Sequence, residues 1–173
     1  EPLPPSYHAD VDAIYRNSQH LAALLDDILD LSQIEAERLP LVKDRVDLEE
    51  DVVRKVIEVV RPLAERKGLR LRQELAGNLP WILADQVRLR QALLNLLTNA
   101  IRLTETGEVV VSTTCRDDAL QVSVRDTGPG IAAEDMPKLF REFHQTRRAA
   151  TRESRGSGRG LSLSKQLIEL HSC

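Results

Sequence analysis

The chain has 173 residues, 42% apolar and 29% charged, with a formal net charge of -3, a size and balance suited to one globular domain plus an extension. There is no basic field to attract nucleic acid, and aromatics at 3% are too few for base-stacking platforms, so nucleic acid is excluded as an expected partner. Cys115 and Cys173 show neither metal-like spacing nor disulfide density, no apolar run is long enough to span a bilayer, and Glu1-Pro-Leu-Pro-Pro5 is no signal segment; the expected setting is cytoplasmic, with any membrane anchor of a parent protein outside this chain.

From Asp10 to about Arg38, Val11, Ile14, Leu21, Leu25 and Ile28 follow a 3-4-3-4 spacing widened by Leu24, Leu31 and Ile34, which predicts a long amphipathic helix ending near Leu39-Pro40. Nothing close by in the sequence covers its stripe, so a partner helix is expected from missing sequence or from a second copy, with a plain coiled coil as the simplest form. Val46-Asp-Leu-Glu-Glu50 reads as a short strand entering a helix, with Asp47 as N-cap and Glu50 placed for a capping box. That helix runs to Lys67 and stops at Gly68, with a kink or weak last turn expected at Pro62. Leu69, Leu71 and Leu75 then suggest a strand with one buried face, followed by the loop Ala76-Gly-Asn-Leu-Pro80 and a short segment around Trp81 to Leu83.

The stretch from Asp85 to Arg102 is Leu-rich and free of Pro and Gly, and predicts one long helix buried nearly all round. Arg88, Gln91, Asn95, Asn99 and Arg102 fall within an arc of about 80° at 100° per residue, a narrow polar seam. A solvated face is normally Lys and Glu; two Asn at i, i+4 are poor helix formers whose amides point to use. An Asn oxygen is a neutral, hard ligand suited to Mg²⁺, and Arg102, one turn on from Asn99, suits a phosphate oxygen.

Glu108 to Cys115 is a β-branched run that turns at Arg116-Asp-Asp118 into Ala119–Arg125, a hairpin whose apolar face needs covering helices. The expected fold is α+β, a two-layer α/β sandwich preceded by the long helix. The second strand ends in Asp126-Thr-Gly-Pro-Gly-Ile131, where Gly128 and Gly130 permit a tight turn and Asp126 can accept a hydrogen bond from an amino group such as adenine's; an ordinary Asp-x-Gly turn has the same spelling. From Ala132 to Arg155 runs a polar connection, long enough to be a lid, whose Phe140 and Phe143 read as a small local core and whose arginines read as solvated charge or a basic cover for polyphosphate. Gly156-Ser-Gly-Arg-Gly160 then feeds a predicted helix over Leu161–Leu170, an arrangement that serves as a flexible linker or, with Gly156, Gly158 and Gly160 at a helix N-terminus, as an anion site. It matches neither the Walker nor the dinucleotide-binding pattern.

In this order the segments resemble the catalytic core of a sensor histidine kinase, of the Bergerat-fold superfamily, over almost the whole chain. Asp85 to Thr104 resembles the N box, Asp126 to Ile131 the G1 box, Leu139-Phe-Arg-Glu-Phe143 the F box and Gly156 to Leu161 the G2 box; Asn17 to Ala36 resembles the second helix of the dimerisation and phosphotransfer hairpin. The resemblance implies a partial hairpin over residues 1–45 and an ATP-binding domain over residues 46–173 that lacks its last strands. It implies ATP and Mg²⁺ as cofactors, with Asn99 as metal ligand, Asp126 on the adenine amine, Gly128 and Gly130 lining the base, Gly158 and Gly160 bordering the phosphates, and Asn95, Arg102 and Gly156 within the ATP site. Related ATPases place Glu at the position of Asn95; an amide cannot act as general base, so the resemblance implies phosphoryl transfer to histidine.

Three residues differ from the family pattern, one of them Arg102, which sits where the family usually has Lys. Arg159 replaces the usual G2-box Leu, and Leu103 stands where an aromatic is common. The acceptor histidine of the family is followed by an acidic residue, whereas the histidines here read His8-Ala9, His20-Leu21, His144-Gln145 and His171-Ser172, so the acceptor is expected outside the chain and each of these four is expected to be structural or on the surface. The implied partners are an acceptor helix, a response regulator and a second copy through the long helix. The competing functions are a degenerate nucleotide-binding or dimerisation module and a Bergerat-type ATPase.

Overall fold

The computed structural model of the chain describes residues 39–117, 119–140 and 160–171, together with Tyr7, Asp10, Val11, Ile14, Ser18, Leu21 and Leu25. The chain divides into two units, Glu1–Leu39 and Pro40–Cys173. In the first, the seven described residues before Leu39 are helical, and Tyr7, Val11, Ile14, Leu21 and Leu25 are all exposed. The described members of the apolar stripe read from the spacing, Val11, Ile14, Leu21 and Leu25, are therefore exposed in a single copy. Residues 26–38, on which the predicted helix end falls, lie outside the described residues.

The second unit begins with β1 (Asp44–Val46), which pairs antiparallel with β3 (Ile82–Ala84) in a two-stranded sheet. Between them a π-helical segment, Leu48–Arg54, leads into α1 (Lys55–Arg66). Asp47 caps it as predicted, its carboxylate accepting the N–H groups of Glu49 and Glu50 at 3.0 Å. The reciprocal bond is not made by Glu50. Asp51 Oδ2 accepts the Asp47 N–H at 2.9 Å, while Glu50 pairs with Arg54. The wider π turn brings the fourth helical residue, rather than the third, beneath the cap. Helix α1 continues through Pro62 to Arg66 and ends in a Schellman motif: Leu69 N–H reaches Ala64 O and Gly68 N–H reaches Glu65 O, with Gly68 at φ +69°.

The larger sheet has the order β2-β4-β5, built from β2 (Arg70–Glu74), β4 (Glu108–Arg116) and β5 (Ala119–Asp126). Strands β2 and β4 are parallel, with Arg70 opposite Glu108; β4 and β5 form the predicted antiparallel hairpin, with Arg116 opposite Ala119. Helix α2 (Gln86–Leu103) packs against α1, the hairpin and α3 (Gly160–Glu169). The core between helices and sheet joins Val53 of the π-helical segment, Ile57 and Val60 of α1, Leu93, Leu97 and Ile101 of α2, and Val109 and Val111 of β4. This is the expected two-layer α+β arrangement. Each fully buried aliphatic side chain adds about 1.5–3 kcal/mol to the favourable side of folding, and Leu97 and Ile101 are both wholly buried. Helix α2 is buried on that face and half-buried around much of the remainder, less enclosed than the sequence suggested.

Candidate functional site

Helix α2 carries the polar seam, and its start is fixed by one residue. Asp85 Oδ1 accepts the N–H groups of Val87 and Arg88 at 3.0 and 3.1 Å, and Oδ2 accepts the Val42 N–H at 3.0 Å. The Asp85 N–H in turn donates to His171 Nε2 at 3.0 Å, while His171 Nδ1 bonds Leu167 O at 2.7 Å. His171 is thus a structural histidine holding the end of α3 to the start of α2, with its proton on Nδ1.

Along the seam the polar groups meet other elements in sequence. Asn95 Nδ2 donates to Gly160 O at 3.4 Å, and Ser164 Oγ donates to the same carbonyl at 2.7 Å, so the first residue of α3 is seated on the Asn95 turn. One turn later Arg102 Nη2 donates to Asn99 Oδ1 at 2.8 Å. The Nε of Arg102 is buried without a hydrogen-bond partner, and burial lowers the pKa of this guanidinium from its ordinary value. Among the described residues no carboxylate pairs with Arg102. A half-buried cation with a spare donor and no counter-ion is costly unless something anionic joins it.

At the end of the helix the seam reaches the Asp-Thr-Gly-Pro-Gly turn. Asp126 closes β5 and is exposed, and its Oδ1 accepts the Gly128 N–H at 2.8 Å. Gly128 lies against the helix end: a Cβ there would fall 2.6 Å from Asp126 Oδ1 and 3.2 Å from Thr104 Oγ1. Any side chain there would force the Asp126 carboxylate to move and press on Thr104. Thr104 is fully buried and its Oγ1 has no hydrogen-bond partner. Thr127 pins the turn from the other side, its backbone N–H bonding Glu108 O at 3.1 Å and its hydroxyl taking the Glu108 N–H at 3.0 Å. A cavity of about 290 Å³ opens there, lined by Glu105, Thr106, Thr127, Gly128 and Pro129.

From Asn95 to Thr104 is about 14 Å along the axis at 1.5 Å per residue. Over that length the fold brings Asn95, Asn99, Arg102, Gly128 and Gly160 to one stretch of α2, with Asp126 attached through Gly128. Gly130 follows in the turn at φ +68° and is exposed. Gly156, Gly158, Arg159 and the lid arginines lie outside the described residues, as does Phe143. Phe140 is 50% exposed with Lys165 Nζ 5.7 Å from its ring centroid; the local core expected of Phe140 with Phe143 falls in part outside the described residues. Sequence reasoning passed over Thr104, whose orphan hydroxyl has no signature in one dimension, and Lys67, whose ammonium reaches the end of α2.

Residues 84–172 match the family model described as histidine kinase-, DNA gyrase B-, and HSP90-like ATPase. The chain is 42% identical over 163 residues to the non-motile and phage-resistance protein of Caulobacter vibrioides, covering 91% of this chain and 19% of that one. It is 36% identical over 171 residues to the histidine protein kinase DivJ of the same organism, covering 98% of this chain and 28% of that one. Among solved structures, full-length ShkA in complex with AMPPNP superposes with a TM-score of 0.82 at 33% identity, covering 98% of this chain and 35% of that one. The chain therefore spans 19% to 35% of the length of these relatives. With the turn after β5 and the start of α3 both meeting α2, the chain belongs to the histidine kinase-, DNA gyrase B- and HSP90-like ATPases, as the ATP-binding catalytic core of a sensor histidine kinase.

Proposed function

We propose that the chain binds MgATP along the C-terminal half of α2 and transfers its γ-phosphoryl group to a histidine outside the chain, for onward transfer to a response-regulator aspartate. The observation that carries this reading is Arg102, half-buried, with an unpartnered Nε and no carboxylate beside it among the described residues. Such a group fits an anion, and a phosphate oxygen accepts from guanidinium with charge assistance. Asn99, bonded to Arg102 at 2.8 Å, would contribute its amide oxygen to a magnesium ion that takes its remaining ligands from phosphates and water. The bound nucleotide supplies the transferable phosphoryl group, and the metal offsets its charge.

The rest falls to the chain's own side chains. Asp126 would accept the adenine amino group, with Gly128 and Gly130 keeping the turn open to a flat base. Gly156, Gly158 and Gly160 would border the phosphates as the G2 box. Asn95 has no basic atom, and its amide is directed to Gly160 O; it cannot activate water, which favours transfer over hydrolysis. Among the described residues no helix is long and apolar enough to cross a membrane, and we infer a cytoplasmic position for this unit. The uncovered stripe of Val11, Ile14, Leu21 and Leu25 supports a homodimer through the long helix in the parent protein.

Calorimetry on the chain with MgADP, followed by labelled MgATP and an isolated acceptor hairpin, tests the proposal. Binding by the unaltered chain and label on the hairpin are expected, with Arg102→Gln weakening nucleotide affinity on the order of tenfold to a hundredfold. Nucleotide binding without label would favour the degenerate module, and steady phosphate release without an acceptor would favour an ATPase.

A further inference from the structure

Lys67 is the C-cap of α1, and neither the family resemblance nor the nucleotide reading assigns it a task. Its ammonium donates to three backbone carbonyls at the far end of another helix: Ile101 O at 2.9 Å, Arg102 O at 2.6 Å and Thr104 O at 2.8 Å. An ammonium has three N–H donors, so all are engaged on one helix terminus. The last carbonyls of an α-helix lack intrahelical partners and carry the negative end of its dipole, and a cation there serves both needs. Lys67 is held in place by the Schellman turn at Gly68 and Leu69, so the donor starts from a fixed backbone.

Two of these acceptors, the Arg102 and Thr104 carbonyls, belong to residues that build the site. Arg102 bonds Asn99, and Thr104 forms the wall against which Gly128 packs. We propose that Lys67 is a positioning residue of the nucleotide site, fixing the last turn of α2 so that the Asn99–Arg102 pair and the Asp126–Gly128 turn keep their mutual distance. This rests on the nucleotide reading above. Lys67 touches no nucleotide in this account; it acts through the backbone that carries the groups that do. Released from Lys67, the helix end frays, and the metal-side pair loses register with the base-side turn.

The experiment is calorimetry on the full chain with ADP, in magnesium and in excess chelator, for the unaltered protein, Lys67→Met and Lys67→Gln, beside their melting curves. Lys67→Met is expected to weaken MgADP binding on the order of tenfold, with a smaller loss for ADP in chelator because the Asn99 contribution is then absent from both. Lys67→Gln, with two N–H donors and no charge, is expected to fall between. A residue that only held the fold would lower the melting temperature and leave the MgADP affinity of the folded protein unchanged, and that result overturns the inference. Should Lys67→Met fail to fold, Lys67→Gln and the Nζ resonance of Lys67 in the unaltered chain still decide: a resonance that does not respond to MgADP counts against the coupling. An unaltered chain that binds no nucleotide sinks the nucleotide reading itself, before any variant is compared.

Discussion

The two ends of α2 are finished in opposite ways. At the N-terminus every polar group at Asp85 has a partner within the chain: both carboxylate oxygens are taken up by backbone N–H groups, and its own N–H goes to His171. At the C-terminus the carbonyls are satisfied by Lys67, yet the side chains beside them are left over, with Arg102 Nε and Thr104 Oγ1 both buried and unpaired. A folded protein rarely leaves buried donors idle, because each costs about 1–3 kcal/mol. The N-terminal end is thus satisfied within the chain, whereas the C-terminal end keeps spare polar groups, as the proposed nucleotide site requires. Glu49 is a buried carboxylate of the satisfied kind: one oxygen accepts the Gly77 N–H at 3.0 Å and the other accepts the Thr113 hydroxyl, so both are engaged within the chain.

The sharpest way to separate fold from site is to damage the core between the two ends. Leu97 is wholly buried, and Leu97→Ala is expected to cost about 2–5 kcal/mol in urea denaturation, the folded fraction retaining its nucleotide affinity. Asp85→Ala removes the cap of α2 and the partner of Val42 N–H while the backbone bond to His171 survives. A loss of about 1–2 kcal/mol of stability is expected, with MgADP binding by calorimetry unaltered; a parallel loss of affinity would show that the ends are not independent and would break the comparison. The smallest effect is expected at the other end. Thr104→Val replaces the orphan hydroxyl by a methyl group of similar shape, and thermal denaturation should show stability unchanged or raised by up to about 1 kcal/mol. A clear destabilisation would mean that the hydroxyl has a structural partner after all.

Much of the second unit was legible because it is locally encoded. The caps at Asp47 and Asp85, the Gly68 stop, the β4–β5 hairpin and the seam of α2 each follow from residues within one or two turns of one another. The capping partner of Asp47 was misplaced by one residue because a π turn and an α turn cannot be told apart by spacing alone.

By itself, then, the amino-acid order determined most of the helices and strands of the second unit and most of their ends, and that one helix carries amides and a guanidinium on a single face. Tertiary structure alone decided what those groups meet. Asn95 and Gly160 are 65 positions apart, Lys67 and the end of α2 34 to 37, and His171 and Asp85 86. A lysine in one dimension is a solvated charge or a helix clamp with equal propriety, because its four-carbon stem has no local preference. Only packing α1 beside α2 brings the ammonium within reach of three carbonyls, and only the same packing shows which buried donors are left without a partner.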